Sequence, residues 1–130
     1  MMRSAQWVLA VLAAAGAPAC VAAAAAAGAG GAVYVTSRGA ETVMEGQPAT
    51  LEPRIRGALA SHDVSITDTS TEDGGDRQTW EGKSGELTVS VSAERQSPTM
   101  TKVAVTARKN VAEWDQDFAR RVLADIVKGD

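Results

Sequence analysis

A single cysteine and a single histidine stand in a chain of 130 residues, and each scarcity closes off a class of chemistry. One thiol excludes an intramolecular disulfide. One imidazole, His62, excludes a histidine-rich metal site, and with Cys20 distant in the sequence no zinc cluster assembles. Positive charge is not in excess: 13 Lys and Arg face 16 Asp and Glu, a net charge of −3, and no clustered basic footprint for nucleic acid stands out. Large apolar runs are also scarce. Residues 7–35 carry no charge and are long enough for a membrane span, which needs about 20 apolar residues. After Leu12, however, they are almost wholly alanine and glycine, with Pro18 in the middle. Alanine drives insertion far less than Leu, Ile, Val or Phe.

What is present begins with the leader. Arg3 precedes an apolar stretch over residues 7–15, followed by Gly16, Ala17, Pro18, Ala19 and Cys20. A basic start, a short apolar core and a small-residue cleavage region make an export signal. The stretch ending at Cys20 resembles the signal of a bacterial lipoprotein, and the resemblance implies cleavage before Cys20, residues 1–19 as signal peptide and a Cys20 thiol carrying a diacylglyceryl thioether. Four other outcomes remain open. Ala17-Pro18-Ala19 is also an A-x-A site for ordinary cleavage, cleavage could come later within residues 22–27, a retained helix would anchor the chain without processing, and Cys20 could stay a free thiol. Residues 20–32 form a low-complexity Ala/Gly tether, which as a flexible coil reaches about 20 Å.

Residues 33–130 read as a small α+β domain. Residues 33–38 are rich in strand formers, and Gly39 marks a bend before Glu41, Thr42 and Val43. Leu51, Ile55, Ala58 and Leu59 recur at helical spacing, which predicts a helix over 49–61 with Pro53 in its first turn. Val64 and Ile66 alternate as a strand, and 68–76 reads as a polar turn around Gly74 and Gly75. Short strands follow over 78–83, 87–93 and 103–107, where apolar and polar residues alternate. Trp114, Phe118, Val122 and Ile126 sit four apart and predict a closing helix over 113–128. The expected order is β-α-β-β-β-β-α. Two helices would cover one face of an antiparallel sheet of four to five strands, a two-layer sandwich.

Reactive constellations do not assemble. His62 beside Asp63 reads as the polar exit of the first helix rather than a base. Asp68, Glu72, Asp73 and Asp76 form an acidic patch without the spacing of a calcium loop. Ser84 lies in no nucleophile elbow, and Thr99 and Lys102 would point to opposite faces of a strand. Arg95, Lys102, Arg108 and Lys109 suggest a basic stripe able to touch anionic lipid or polysaccharide. Trp80 and Trp114 read as core anchors, and a cleft lined by Trp80, Trp114 and Phe118 is the place for an apolar ligand.

The signal with its cysteine, the Ala/Gly tether, the stretch Tyr34-Val35-Thr36-Ser37-Arg38-Gly39 and the helix, sheet and helix that follow resemble a family of short uncharacterised bacterial envelope lipoproteins. The resemblance implies a lipid-anchored, periplasm-facing protein of a Gram-negative envelope. Val21 after the acylated cysteine would favour the outer membrane. No catalytic residue is implied. The expectation is a non-catalytic interaction module with no cofactor, no metal and no nucleic-acid partner, held at the membrane and docking another envelope protein. The alternative is a small-ligand or lipid carrier.

Overall fold

Leu87, Val89, Val91 and Ala93 alternate with Thr and Ser, and Val103, Val105 and Ala107 with Lys102, Ala104 and Thr106, which builds the two central strands of a six-stranded sheet. The structure, a computed structural model, describes residues 32–129. Its elements are β1 (Tyr34–Val35), β2 (Gly39–Glu45), α1 (Pro48–Ser61), β3 (Ser65–Glu72), a 3₁₀ turn (Asp73–Gly75), β4 (Arg77–Ser84), β5 (Leu87–Arg95), β6 (Met100–Arg108) and α2 (Gln116–Lys128). The sheet order is β1-β2-β6-β5-β4-β3, and every pairing is antiparallel. The α+β class is as expected. The expected four to five strands are corrected to six, and the order to β-β-α-β-β-β-β-α.

The extra strand comes from the N-terminal hairpin. Residues 33–38 are not one strand followed by a bend; β1 and β2 pair across a tight turn at 36–38, with Tyr34 opposite Glu41 and Val35 opposite Ala40. Thr36 organises the turn, its Oγ1 accepting from the backbone N–H of Gly39 at 3.0 Å. Gly39 is required there because the β6 backbone passes so close that a Cβ would collide with the carbonyl oxygen of Val105.

The second correction concerns the acidic segment. Asp68 and Glu72 lie in β3 rather than in a turn, and only Asp73–Gly75 bends the chain. Thr67, Thr69 and Thr71 favour extended backbone, and an edge strand tolerates their polarity because little of it is buried. The pairing of β3 with β4 shifts register between Ile66 and Asp68. That bulge keeps Ile66 on the same face as Trp80 yet turns Asp68 outward, where a regular strand would turn it toward the core.

The helices cover one face. Helix α1 opens with Pro48 at its first turn, where a missing N–H costs nothing. Pro53 therefore lies inside the helix rather than in its first turn, on an exposed position. Leu51, Ile55, Ala58 and Leu59 form the buried stripe. Helix α2 is capped by Asp115, whose carboxylate accepts from the N–H of Phe118 at 2.9 Å. It ends at Gly129, which is left-handed at φ 76°. Arg54 of α1 crosses to this end and donates to the carbonyl of Val127 at 2.8 Å, placing a cation where the helix dipole favours one.

Helix α1 packs over β5 and β3, and α2 over β2 and β6. Between them and the sheet lie Met44, Ile55, Trp80, Val91, Val105, Val122, Leu123 and Ile126, each at most 2 % exposed. Among the described residues, the two buried polar side chains are both paired: Thr42 donates to the carbonyl of Ala32 and Thr101 to that of Gly46.

Candidate interaction face

The register of the strands assigns every residue of the uncovered face. Three rows cross the middle and one end, and a fourth, of Ser65, Lys83, Thr88 and Arg108, lies at the other end. One contains Asp68, Glu81, Ser90 and Thr106; the next Ser70, Thr79, Ser92, Ala104 and Glu41; the third Glu72, Arg77, Glu94, Lys102 and Val43. Small hydroxyl side chains occupy the middle, so the face is flat and able to both donate and accept hydrogen bonds.

Its two ends differ in charge. At one end the third row alternates in sign. Arg77 lies 2.7 Å from Glu94 and 3.6 Å from Glu72. The Arg77 hydrogen bond holds the Glu94 carboxyl below its ordinary pKa, and the same contact holds Arg77 above its own. Arg95, which by register belongs to the covered side at this end of the sheet, lies 3.2 Å from Asp76. These cations are already matched by carboxylates.

At the other end stands Trp114. It precedes α2, bridges in antiparallel fashion to Arg108 and lies on the uncovered face. Two guanidiniums sit over its ring, that of Arg38 at 5.4 Å and that of Arg108 at 5.6 Å from the centroid. Trp114 and Arg108 line a concavity of about 220 Å³ together with Glu81, Thr88, Ser90 and Thr106. On its other side Trp114 borders a second concavity with Lys109, Glu113 and Asp117.

The residues singled out from the sequence are therefore dispersed. Trp80 is 2 % exposed in the core beneath the helices, whereas Trp114 lies across the sheet from it. Phe118 is on α2, half-buried, with its ring 5.8 Å from His62 in an edge contact. The expected cleft of Trp80, Trp114 and Phe118 is not formed. Trp114 was read as the first residue of the helical stripe, but Asp115 caps α2 and leaves Trp114 outside it. The basic stripe is likewise split, since Arg95 and Arg108 lie at opposite ends of the sheet and, by register, on opposite faces. Cys20 lies outside the described residues.

His62 does close α1, and its partner is Asp125 of α2 at 2.6 Å rather than the adjacent Asp63. The hydroxyl of Ser84 donates to the carbonyl of His62 at 3.3 Å. Among the described residues, no group of three His, Cys, Asp or Glu side chains converges to hold a metal ion, and no helix is long and apolar enough to cross a membrane.

Sequence reasoning missed the pairing of Arg38 and Arg108 with Trp114. The Arg38 contact depends on β2 lying beside β6, a neighbourhood that no local pattern reveals. The place of Trp114 was legible, because an aspartate three residues before Phe118 is a helix-start signal. In comparisons with known proteins, the chain matches no family model and no curated protein.

Proposed function

We propose that this domain is a non-catalytic interaction module of a bacterial envelope lipoprotein, tethered through Cys20 by residues 20–32 and docking another envelope component through its uncovered sheet face. The observation that carries this reading is the asymmetry of the sheet. One face is sealed by two helices, while the other offers flat rows of Ser and Thr flanked by the exposed edge strand β3. Edge strands recruit partners by adding main-chain hydrogen bonds. The carrier alternative loses its cleft, because Trp80 and Trp114 lie on opposite faces.

Two measurements test it. Intact mass and detergent partition of the full chain expressed in a Gram-negative host, beside Cys20→Ser, test the anchor. Loss of residues 1–19, added acyl mass and partition that vanishes in the variant are expected; an unacylated mature protein overturns it. A photocrosslinking side chain at Ser92, compared with one at Gly57 on the exposed side of α1, tests the docking face. A discrete adduct from Ser92 alone is expected, and equal labelling from both positions overturns the assignment.

A further inference from the structure

The Trp114 end of the uncovered face has a composition that the rest of the molecule lacks. Arg38 and Arg108 converge on one indole. Among the described residues, no carboxylate lies within 4 Å of either guanidinium, nor of Lys109 or Lys83, the latter in the same row through Thr88. Two like charges drawn to one ring repel each other, and an anion between or beside them relieves that cost. Acids stand nearby as well: Asp115 caps α2, Glu113 accepts from Asn110, and Asp117 faces Arg120 at 3.7 Å, while Asp68 and Glu81 lie in the neighbouring row. Their charges remain and limit how close an anion approaches within the two concavities, so the anion meets the guanidiniums outside them.

Apolar groups flank the same end. Val111 and Val35, at 91 % and 56 % exposure, are the two exposed large hydrophobics among the described residues. Val111 lies in the loop between Lys109 and Trp114. Val35, which pairs with Ala40 and so faces the covered side, precedes Thr36, whose carbonyl accepts from the Gln116 side chain at 2.6 Å and so holds the β1–β2 turn against the start of α2. An indole, unpaired basic groups and the projecting Val111 together are the composition of a surface that sits at a bilayer interface. Residues 36–38 also lie only a few positions from where the tether enters the domain.

We propose that this end, with Arg38, Arg108 and Lys109 around Trp114 and Val111 at the tip, seats the domain on an anionic lipid surface. The guanidiniums meet headgroup phosphates, the indole lies at headgroup level, and Val111 enters the boundary with the acyl chains. The inference deepens the envelope reading by naming what this end touches, and leaves the Ser and Thr rows for a protein partner. It orients the domain as well as attracting it, since at the other end Arg77 and Arg95 are matched by carboxylates.

The test reads Trp114 directly. The full chain is reconstituted with vesicles of phosphatidylcholine alone or with roughly one-third phosphatidylglycerol, containing lipids brominated along the acyl chain. Tryptophan quenching is recorded for the protein and for Trp114→Phe, and the difference isolates Trp114 from Trp7 and Trp80. The expected result is quenching of Trp114 that requires phosphatidylglycerol and fades when salt rises from about 0.1 M to about 0.5 M. Arg38→Gln and Arg108→Gln each weaken it about fivefold, and Val111→Asp reduces it with all the basic groups intact. These positions are exposed, so an unchanged denaturation midpoint verifies the fold. Equal quenching in both vesicles, or quenching indifferent to both arginine variants, overturns the proposal. A Trp114 response to inorganic phosphate as strong as that to phosphatidylglycerol also overturns it, in favour of a soluble phosphorylated ligand. Failure of the anchor is read separately, as failure of the full chain to float with phosphatidylcholine vesicles.

Discussion

The two faces of the sheet are made by the same strands and obey opposite rules. In β6, Val103, Val105 and Ala107 are fully buried, while Lys102, Ala104 and Thr106 between them remain half-exposed. The backbone is common to both faces, so the contrast lies in the side chains. Valine and threonine are nearly the same shape, yet one surrenders apolar surface to the helices and the other keeps a hydroxyl in contact with water. Stability is therefore concentrated on one side of a layer one residue thick, and the other side is free to vary.

The largest test of this contrast is truncation on either side. Ile55→Ala or Leu123→Ala, each leaving a cavity in the core, should cost about 2–5 kcal/mol in chemical denaturation. Thr106→Ala, one residue from the core on the opposite face, should stay within about 0.5 kcal/mol. A Thr106 effect as large as that of Ile55 would break the comparison. Gly39→Ala comes next. Its methyl group meets the β6 backbone rather than a movable side chain, and an overpacking cost of about 1–3 kcal/mol is expected. Asp115→Ala removes the α2 cap and should cost about 1 kcal/mol; it also loosens the residue that follows Trp114.

The smallest effect concerns protons. Glu94 titrates below its ordinary value because Arg77 hydrogen-bonds it. A depressed carboxylate contributes stability above its unfolded pKa and loses it as pH falls through the folded value. Following Glu94 by NMR, Arg77→Gln should move its midpoint upward toward the ordinary range. Both groups are exposed, so the denaturation midpoint at neutral pH should scarcely change.

Much of the covered face was legible in the residues themselves. Leu51, Ile55, Ala58 and Leu59 announce α1 by their spacing, and the alternation over 87–93 and 103–107 announces β5 and β6. The uncovered face was not, because what makes it a surface is which strands are neighbours. Arg38 and Arg108 are far apart in the chain and meet only through the β2–β6 pairing. The reading of 68–76 as a turn weighed acidic and glycine residues against three threonines, and β4 settled the contest by offering a partner strand. Trp114 was misplaced for a different reason. A four-residue spacing to Phe118 outweighed the capping aspartate beside it, although the cap defines the boundary and the spacing does not.

The position of β6 bears on how the molecule comes together in time. Beyond the two pairs made with β1, residues 39–45 pair only with residues 100–106, so the first long strand of the chain waits for the last. Before β6 arrives, the chain holds two unconnected pieces, a short hairpin of β1 with β2 and a meander of β3, β4 and β5. Joining them closes a long loop and lays down the floor on which α2 rests, a non-local step of the kind that slows folding. Any chain stopped short of residue 100 should therefore stay open, with the edges of β2 and β5 both available to other strands.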